Sequence, residues 1–166
     1  MITQARLSAE VTHAHPESIA GTIAVASAAT LAWQLRLDEG MSRQKFLDQV
    51  IACVPESNVR DKLILARDLD GNESITHVAA ILGNGQNAAV QTTVPFALWC
   101  ASDFRKSFED TIWQTLEGQG DCDTICAIVG GITAMRVGIE GIPLTWQQSC
   151  EPIPQWIYAD LPSSLG

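Results

Sequence analysis

The chain has 166 residues, of which 46% are hydrophobic and 17% are charged. These values are typical of one globular domain with its own core, and they exclude a disordered chain. The formal net charge of −9 argues against nucleic acid as a partner, because phosphate binding depends on Lys and Arg.

Neither a secretory signal nor a membrane span is predicted. Residues 1–10 lack the apolar core of a signal sequence. The longest uncharged run, residues 19–35, is slightly short for a span and rich in small residues, so we expect a buried helix. The cysteines form no disulfide framework and are expected to be reduced core thiols of a cytoplasmic protein. They are Cys53, Cys100, Cys122, Cys126 and Cys150.

Helical periodicity begins at Pro16, which suits a first helical turn. The Ala-rich helix after it is expected to run to about Arg36 and to be closed by LDEG, residues 37–40. Ser42 can cap a second helix, which ends at Pro55.

A third helix is expected from about Ser57 to Leu69, with one apolar stripe formed by Val59, Leu63 and Ala66. The segment DLDGNES, residues 68–74, is similar to a calcium loop but fails as one. Its glycine comes too early, and Ala79 stands where the bidentate Glu belongs. We therefore predict a turn there, and then a short helix over residues 75–82.

Three further helical segments complete the pattern. Residues 88–102 contain Pro95, which is expected to kink or divide the helix. Ser102 or Asp103 can cap the next helix, in which apolar residues recur every four positions. The last segment, residues 124–138, is closed by Gly138. With no strand alternation, repeat or linker, the sequence predicts an all-α, compact orthogonal helical bundle forming a single domain over residues 1–166.

The stretch GQGDCDTICAIVGGI, residues 118–132, places two aspartates at the start of an apolar helix. Asp123 can act as the N-cap of that helix, but a cap does not require Asp121 as well. Alternatively, Asp121, Asp123 and the hydroxyl of Thr124 offer hard oxygen ligands for Mg²⁺ or Mn²⁺. Both readings stay open on spacing alone.

Two histidines in VTHAHPES also allow two readings. His15 can cap the helix that begins at Pro16 while His13 lies on the surface, or an imidazole can face a phosphate or hydroxyl in a cleft. A zinc site that combines these histidines with Cys122 and Cys126 is conceivable but lacks a second ligand pair.

The glycines of LGNG, residues 82–85, expose backbone N–H groups ahead of a helix. That geometry can hold a phosphate or pack on a nucleobase, or it can be an ordinary turn between helices.

Three stretches together resemble the ADP-ribosylglycohydrolase family, which includes the dinitrogenase-reductase-activating glycohydrolase. SAEVTHAHPESIAGTIAVASAATLA is similar to the family's Thr-His-x-x-Pro segment and Ala-rich helix. LGNGQNAAVQTTVPFALWC is similar to its Gly-Asn-Gly turn and Val-Pro helix. GQGDCDTICAIVGGITAMRVGIEGIPLTW resembles its Gly-Gly-Asp-x-Asp-Thr signature, the apolar helix after that signature and a closing Gly-x-x-x-Ile-Pro-x-x-Trp. Gln119-Gly120 stands in place of the family's glycine pair.

The resemblance implies an all-α fold with two Mg²⁺ or Mn²⁺ ions in the complete site. It implies hydrolysis of the bond between an ADP-ribosyl group and a protein side chain, or of a related ADP-ribose conjugate. Asp121 and Asp123 would be catalytic and, with Thr124, would bind metal. His13 would contact the ADP-ribose, and Gly83, Asn84 and Gly85 would line its adenosine or phosphate side.

One departure from the family is large. Members begin with an extra half that carries Gly-Asp and Thr-Asp-Asp-Thr segments, whereas this chain contains no Asp-Asp pair. We therefore expect it to correspond to the C-terminal half of such a domain, inactive alone or dependent on a missing half or on self-association. The alternative is a non-catalytic ADP-ribose-binding or interaction module.

Overall fold

A computed structural model describes residues 1–36, 40–152 and 154. Within that part the chain forms nine α-helices and one short 3₁₀ helix, and no strand. The all-α prediction is therefore confirmed, while the single domain over residues 1–166 stays a prediction. The α-helices are α1 Ile2–Glu10, α2 Pro16–Gln34, α3 Arg43–Ile51, α4 Asn58–Asp68, α5 Ile75–Leu82, α6 Val90–Ala101, α7 Phe108–Glu117, α8 Cys122–Val137 and α9 Leu144–Ser149, and the 3₁₀ helix is Ile139–Gly141.

Serine hydroxyls begin four of these helices. Each accepts a hydrogen bond from the backbone N–H three residues later, which satisfies a donor that has no partner within the helix. The predicted cap at Ser42 is confirmed, at 3.2 Å from Lys45 N. The four caps are Ser42, Ser57, Ser74 and Ser107.

The predicted start of α7 at Ser102 or Asp103 is wrong, because Ser107 caps this helix. Ser102 instead ends α6, and its hydroxyl donates to Trp99 O at 2.7 Å. The Asp103 carboxylate pairs with Arg105 at 3.0 Å. Arg43 of α3 also contacts both side chains, donating to Ser102 Oγ at 3.0 Å and pairing with Asp103 at 3.8 Å. This distant partner is not visible in the local sequence.

Two helix boundaries near the N-terminus also differ from the predictions. Helix α1 was not predicted; it has no side-chain cap and buries only Ala5 and Ala9. The α2 helix ends at Gln34, slightly before the expected Arg36. The predicted LDEG terminator falls mainly on residues 37–39, which lie outside the described residues.

Helix α6 is the centre of the core, since Thr93 through Ala101 are all buried. Pro95 lies inside this helix without dividing it. A proline removes one backbone hydrogen bond, and here burial of neighbours such as Phe96 and Trp99, both fully buried, outweighs that loss.

Helices α2 and α8 pack against each other and against α6, while α7 packs on α8 and α4 packs on α6. The N-terminal ends of α2, α6 and α8 face the same cleft. The packing of the three helices therefore brings residues from distant parts of the sequence to one place.

The expectation that most cysteines are core thiols is wrong. Only Cys100 is buried, three others are half-buried, and Cys150 is exposed; all five are free thiols. Within the described residues, no helix is both long and apolar enough to cross a membrane.

Candidate functional site

An open cleft of about 720 Å³ lies between the end of α1 and the N-terminal ends of α2, α6 and α8. Its lining mixes apolar and polar side chains from four segments of the chain. Its polar residues include His13, His15, Gln91, Thr93, Asp121 and Thr124.

Asp121 caps α8, and its Oδ1 accepts a hydrogen bond from Thr124 N at 3.4 Å. The prediction that Asp123 is the cap is wrong, because Asp123 already lies inside the first helical turn. A cap needs a non-helical backbone, which Asp121 has at φ −81° and ψ 70°. The paired aspartates therefore have different roles in the helix from those that spacing suggested.

Of the three predicted metal ligands, Asp121 and Thr124 line the cleft. Asp123 is exposed and is not part of the cleft lining. Positions three apart on a helix share a face, whereas a position two residues on points away. The structure thus brings together two of the three.

The oxygen donors of this turn suit a hard divalent cation in kind. They supply only part of a coordination sphere, because a carboxylate and a hydroxyl in the cleft leave most positions to other donors. Across residues 1–36, 40–152 and 154, no group of three or more His, Cys, Asp or Glu side chains is placed to hold a metal. Among the same residues, His13 and His15 do not join Cys122 and Cys126 in such a group, so the zinc site considered from the sequence is not formed.

His15 caps α2, as one of the two readings predicted. Its Nδ1 accepts a hydrogen bond from Glu17 N at 3.2 Å. The neutral ring must then carry its proton on Nε2, so it presents a donor. His15 and the exposed His13 both line the cleft. Contact between His13 and a ligand therefore stays a prediction.

Glu17 also lines the cleft, and sequence reasoning missed it. Its carboxylate accepts hydrogen bonds from Asn58 N and Asn58 Nδ2, both at 2.9 Å, and from Val59 N at 3.0 Å. Burial raises the pKa of Glu17, but these hydrogen bonds lower it more, so the pKa lies below its usual value. Because its oxygens already bind the start of α4, Glu17 is a structural anchor rather than a free ligand.

Helix α6 contributes its own N-terminus to the cleft, in addition to the phosphate contact that the sequence predicted for the LGNG glycines ahead of it. Ala89, the residue before this helix, provides no side-chain cap, and Val90 and Gln91 lie in the cleft wall. The first N–H groups of an uncapped helix lack partners within the helix, and the helix dipole favours an anion there. The absence of Ser, Thr, Asn or Asp before Val90 was the available signal.

Gly83, Asn84 and Gly85 lie behind the Asp121 turn and are not among the residues of the cleft wall. Asn84 O accepts a hydrogen bond from Asp121 N at 2.9 Å, and Asn84 Nδ2 donates to Gly118 O at 3.2 Å. Their predicted contact with the adenosine or phosphate side stays a prediction. The structure gives this loop a direct contact with the aspartate turn.

The ADP-ribosylglycohydrolase family model matches residues 1–165. ADP-ribosylhydrolase ARH3 from Bos taurus is 30% identical over 89% of this chain and 47% of its own length. The Mus musculus ARH3 is 31% identical over 89% of this chain and 46% of its length, and the Homo sapiens ARH3 is 29% identical over 89% and 47%. The chain thus spans about half the length of these relatives. No solved structure gives a significant match.

Proposed function

The chain belongs to the ADP-ribosylglycohydrolase family, and we propose on that premise that its cleft binds the ADP-ribosyl group of a modified protein or a related conjugate. The reaction is hydrolysis of the glycosidic bond to that group. One observation carries the proposal: residues more than a hundred positions apart, His13 and the pair Asp121 and Thr124, line one cleft.

Asp121, Asp123 and Thr124 are proposed to bind Mg²⁺ or Mn²⁺, with two ions in the complete site. A bound divalent cation supplies charge that orients ribose hydroxyls, polarises a water molecule and stabilises the developing charge at the anomeric carbon. Asp121 uses one carboxylate oxygen for Thr124 N, which leaves the second oxygen for the cleft. The aspartates are the catalytic residues in this proposal.

The ligand side of the cleft is assigned to His13, which contacts the ADP-ribose. The uncapped start of α6 suits the negative charge of a diphosphate. The chain carries a net charge of −9, so a local positive field matters for an anionic ligand.

The donor count supports a site that is incomplete within this chain. Glu17 is committed to α4, and only Asp121 and Thr124 of the predicted ligands face the cleft. Large apolar side chains are also exposed on α1 and at its end, with Leu7 51% and Val11 83% exposed. Such surface suits a further protein partner. We propose that hydrolysis needs a second polypeptide segment or a second copy.

Calorimetry of the full chain with ADP-ribose, with and without Mg²⁺, tests the proposal. We expect binding that depends on Mg²⁺ and is lost in Asp121→Asn. Asp61→Asn is the matched control, since Asp61 is an exposed aspartate in the first turn of α4, and it should bind normally.

Binding that ignores Mg²⁺ would favour the alternative, a non-catalytic ADP-ribose-binding module. No binding to the full chain would contradict the proposed function of the cleft. Robust Mg²⁺-dependent release of ADP-ribose by the chain alone would contradict the incomplete site. A cytoplasmic location stays a prediction.

A further inference from the structure

We propose that Asn84 and Gly85 are positioning residues for Asp121: their loop fixes the direction in which the Asp121 carboxylate enters the cleft. The proposal rests on the metal-binding role assigned to Asp121 under the proposed function. In this proposal Asn84 does not contact the ligand directly. It acts through Asp121, whose backbone and side chain it holds in place.

The turn that carries Asp121 needs external support. Gln119 has φ 55° and Gly120 has φ 81°, so two successive residues are in the left-handed region, which a non-glycine residue rarely occupies. Asn84 contacts both ends of this turn. It accepts from Asp121 N at 2.9 Å and donates to Gly118 O at 3.2 Å. One residue therefore closes the turn from both sides.

The approach between the two loops leaves no space for a side chain at Gly120, where a Cβ would collide with Asn84 O. Gly85 lies close to the aspartate itself. A Cβ on Gly85 would stand 2.9 Å from Asp121 Cβ and 3.1 Å from Thr93 Oγ1. Gly85 thus limits the positions that the Asp121 side chain can take.

Gly138, at the opposite end of α8 from Asp121, supplies the control for Gly85. Gly138 has φ 69° and Gly85 has φ 78°, so alanine strains the backbone at both. A Cβ on Gly138 would meet no atom within 4 Å. For Asn84, the control is Asn72, whose Nδ2 holds another turn by donating to Asp70 Oδ1 at 3.2 Å. Each pair differs in whether the residue supports Asp121.

Two measurements on the ¹⁵N-labelled full chain test the proposal. The first is amide hydrogen exchange at Asp121 and Thr124, relative to core amides of α6. The second is a titration with Mn²⁺ alone, monitored by paramagnetic broadening of the same amide signals. The ratio to core amides separates a local effect from general loss of stability.

Asn84→Ala removes the bond from Asn84 Nδ2 to Gly118 O and keeps the backbone bond from Asp121 N to Asn84 O. It should speed exchange at Asp121 and Thr124 by about fivefold, the effect of one lost hydrogen bond. Gly85→Ala should have a similar effect because its Cβ displaces the Asp121 side chain. Both substitutions should weaken Mn²⁺ binding by about tenfold or more, as loss of a residue that orients a metal ligand does. Gly138→Ala and Asn72→Ala should leave the exchange rates and the Mn²⁺ affinity within about twofold, as for sites that share no partner with Asp121.

Equal effects of Gly138→Ala and Gly85→Ala on Mn²⁺ affinity would overturn the positioning role, as would unchanged exchange in Asn84→Ala. If the unsubstituted chain shows no Mn²⁺ broadening at Thr124, the proposed metal role of Asp121 is wrong. Hydrogen exchange would then still decide whether Asn84 and Gly85 hold Asp121 in place.

Discussion

Replacing Glu17 by glutamine should destabilise the fold by about 1–2 kcal/mol at neutral pH. The carboxylate accepts three hydrogen bonds from Asn58 and Val59 at 2.9–3.0 Å. Such bonds to a charged group contribute about 1.5–3 kcal/mol each when buried, but Glu17 is only partly buried. The value of a helix cap, roughly 1 kcal/mol, is therefore the better guide.

The effect should depend on pH in a definite direction. The pKa of Glu17 is lowered from its ordinary 4.5 in the folded protein, so its contribution is fully present above that value. The contribution is lost as the pH falls through the folded-state pKa. The difference in free energy of unfolding between Glu17→Gln and the unsubstituted chain should be largest at pH 7. It should shrink below pH 4.5 and disappear in stronger acid.

Urea unfolding at a series of pH values measures this difference. Glu56→Gln is the matched control, because Glu56 pairs with Arg60 of α4 at 3.1 Å but its side chain is 87% exposed. Exposed pairs contribute about 0–1 kcal/mol. The reasoning would be refuted by equal losses in the two variants, or by a Glu17→Gln effect of the same size at pH 7 and pH 3.

Three further outcomes are expected. Gly120→Ala should lower the free energy of unfolding by about 1–3 kcal/mol and so lower the melting temperature. Gly131→Ala should raise the free energy of unfolding by about 0.5–1 kcal/mol, because a Cβ at Gly131 meets nothing within 4 Å. The reverse order of melting temperatures would contradict the crowding at Gly120. Cys150 should react with a thiol reagent in the native protein. Burial raises the pKa of Cys100 to about 12 and should block the reaction of this thiol until the protein unfolds. Rapid reaction of Cys100 in the native protein would count against its burial. Arg136→Lys should lower the free energy of unfolding, measured with urea, by about 1–3 kcal/mol. The reason is that the guanidinium donates to two backbone carbonyls at 2.8 and 2.9 Å. An unchanged midpoint of the urea transition would mean that these bonds are replaced.

Features coded by neighbouring residues were predictable. Ser42 and His15 cap helices through residues two or three positions away, so a short window contains both partners. The Asp121 turn was recognised in the same way. Asp121 rather than Asp123 is the cap, because a shift of two positions in a helix start changes which residue caps it.

Features that depend on distant contacts were not predictable. Asn84 holds Asp121 across 37 positions, and Glu17 holds Asn58 across 41 positions. Nothing within a short window around Glu17 indicates that the start of another helix will be its partner. Helix α1 was missed for the related reason that it packs through two alanines, which carry little periodic signal.

The convergence of three helix starts at one cleft also has a kinetic consequence. The cleft walls come from segments near residues 13, 91 and 121, so the cleft exists only after α2, α6 and α8 have docked. Contacts at long sequence separation close large loops and form late in folding. Appearance of ligand binding during refolding should therefore mark the last docking step, and helical circular dichroism should recover before it.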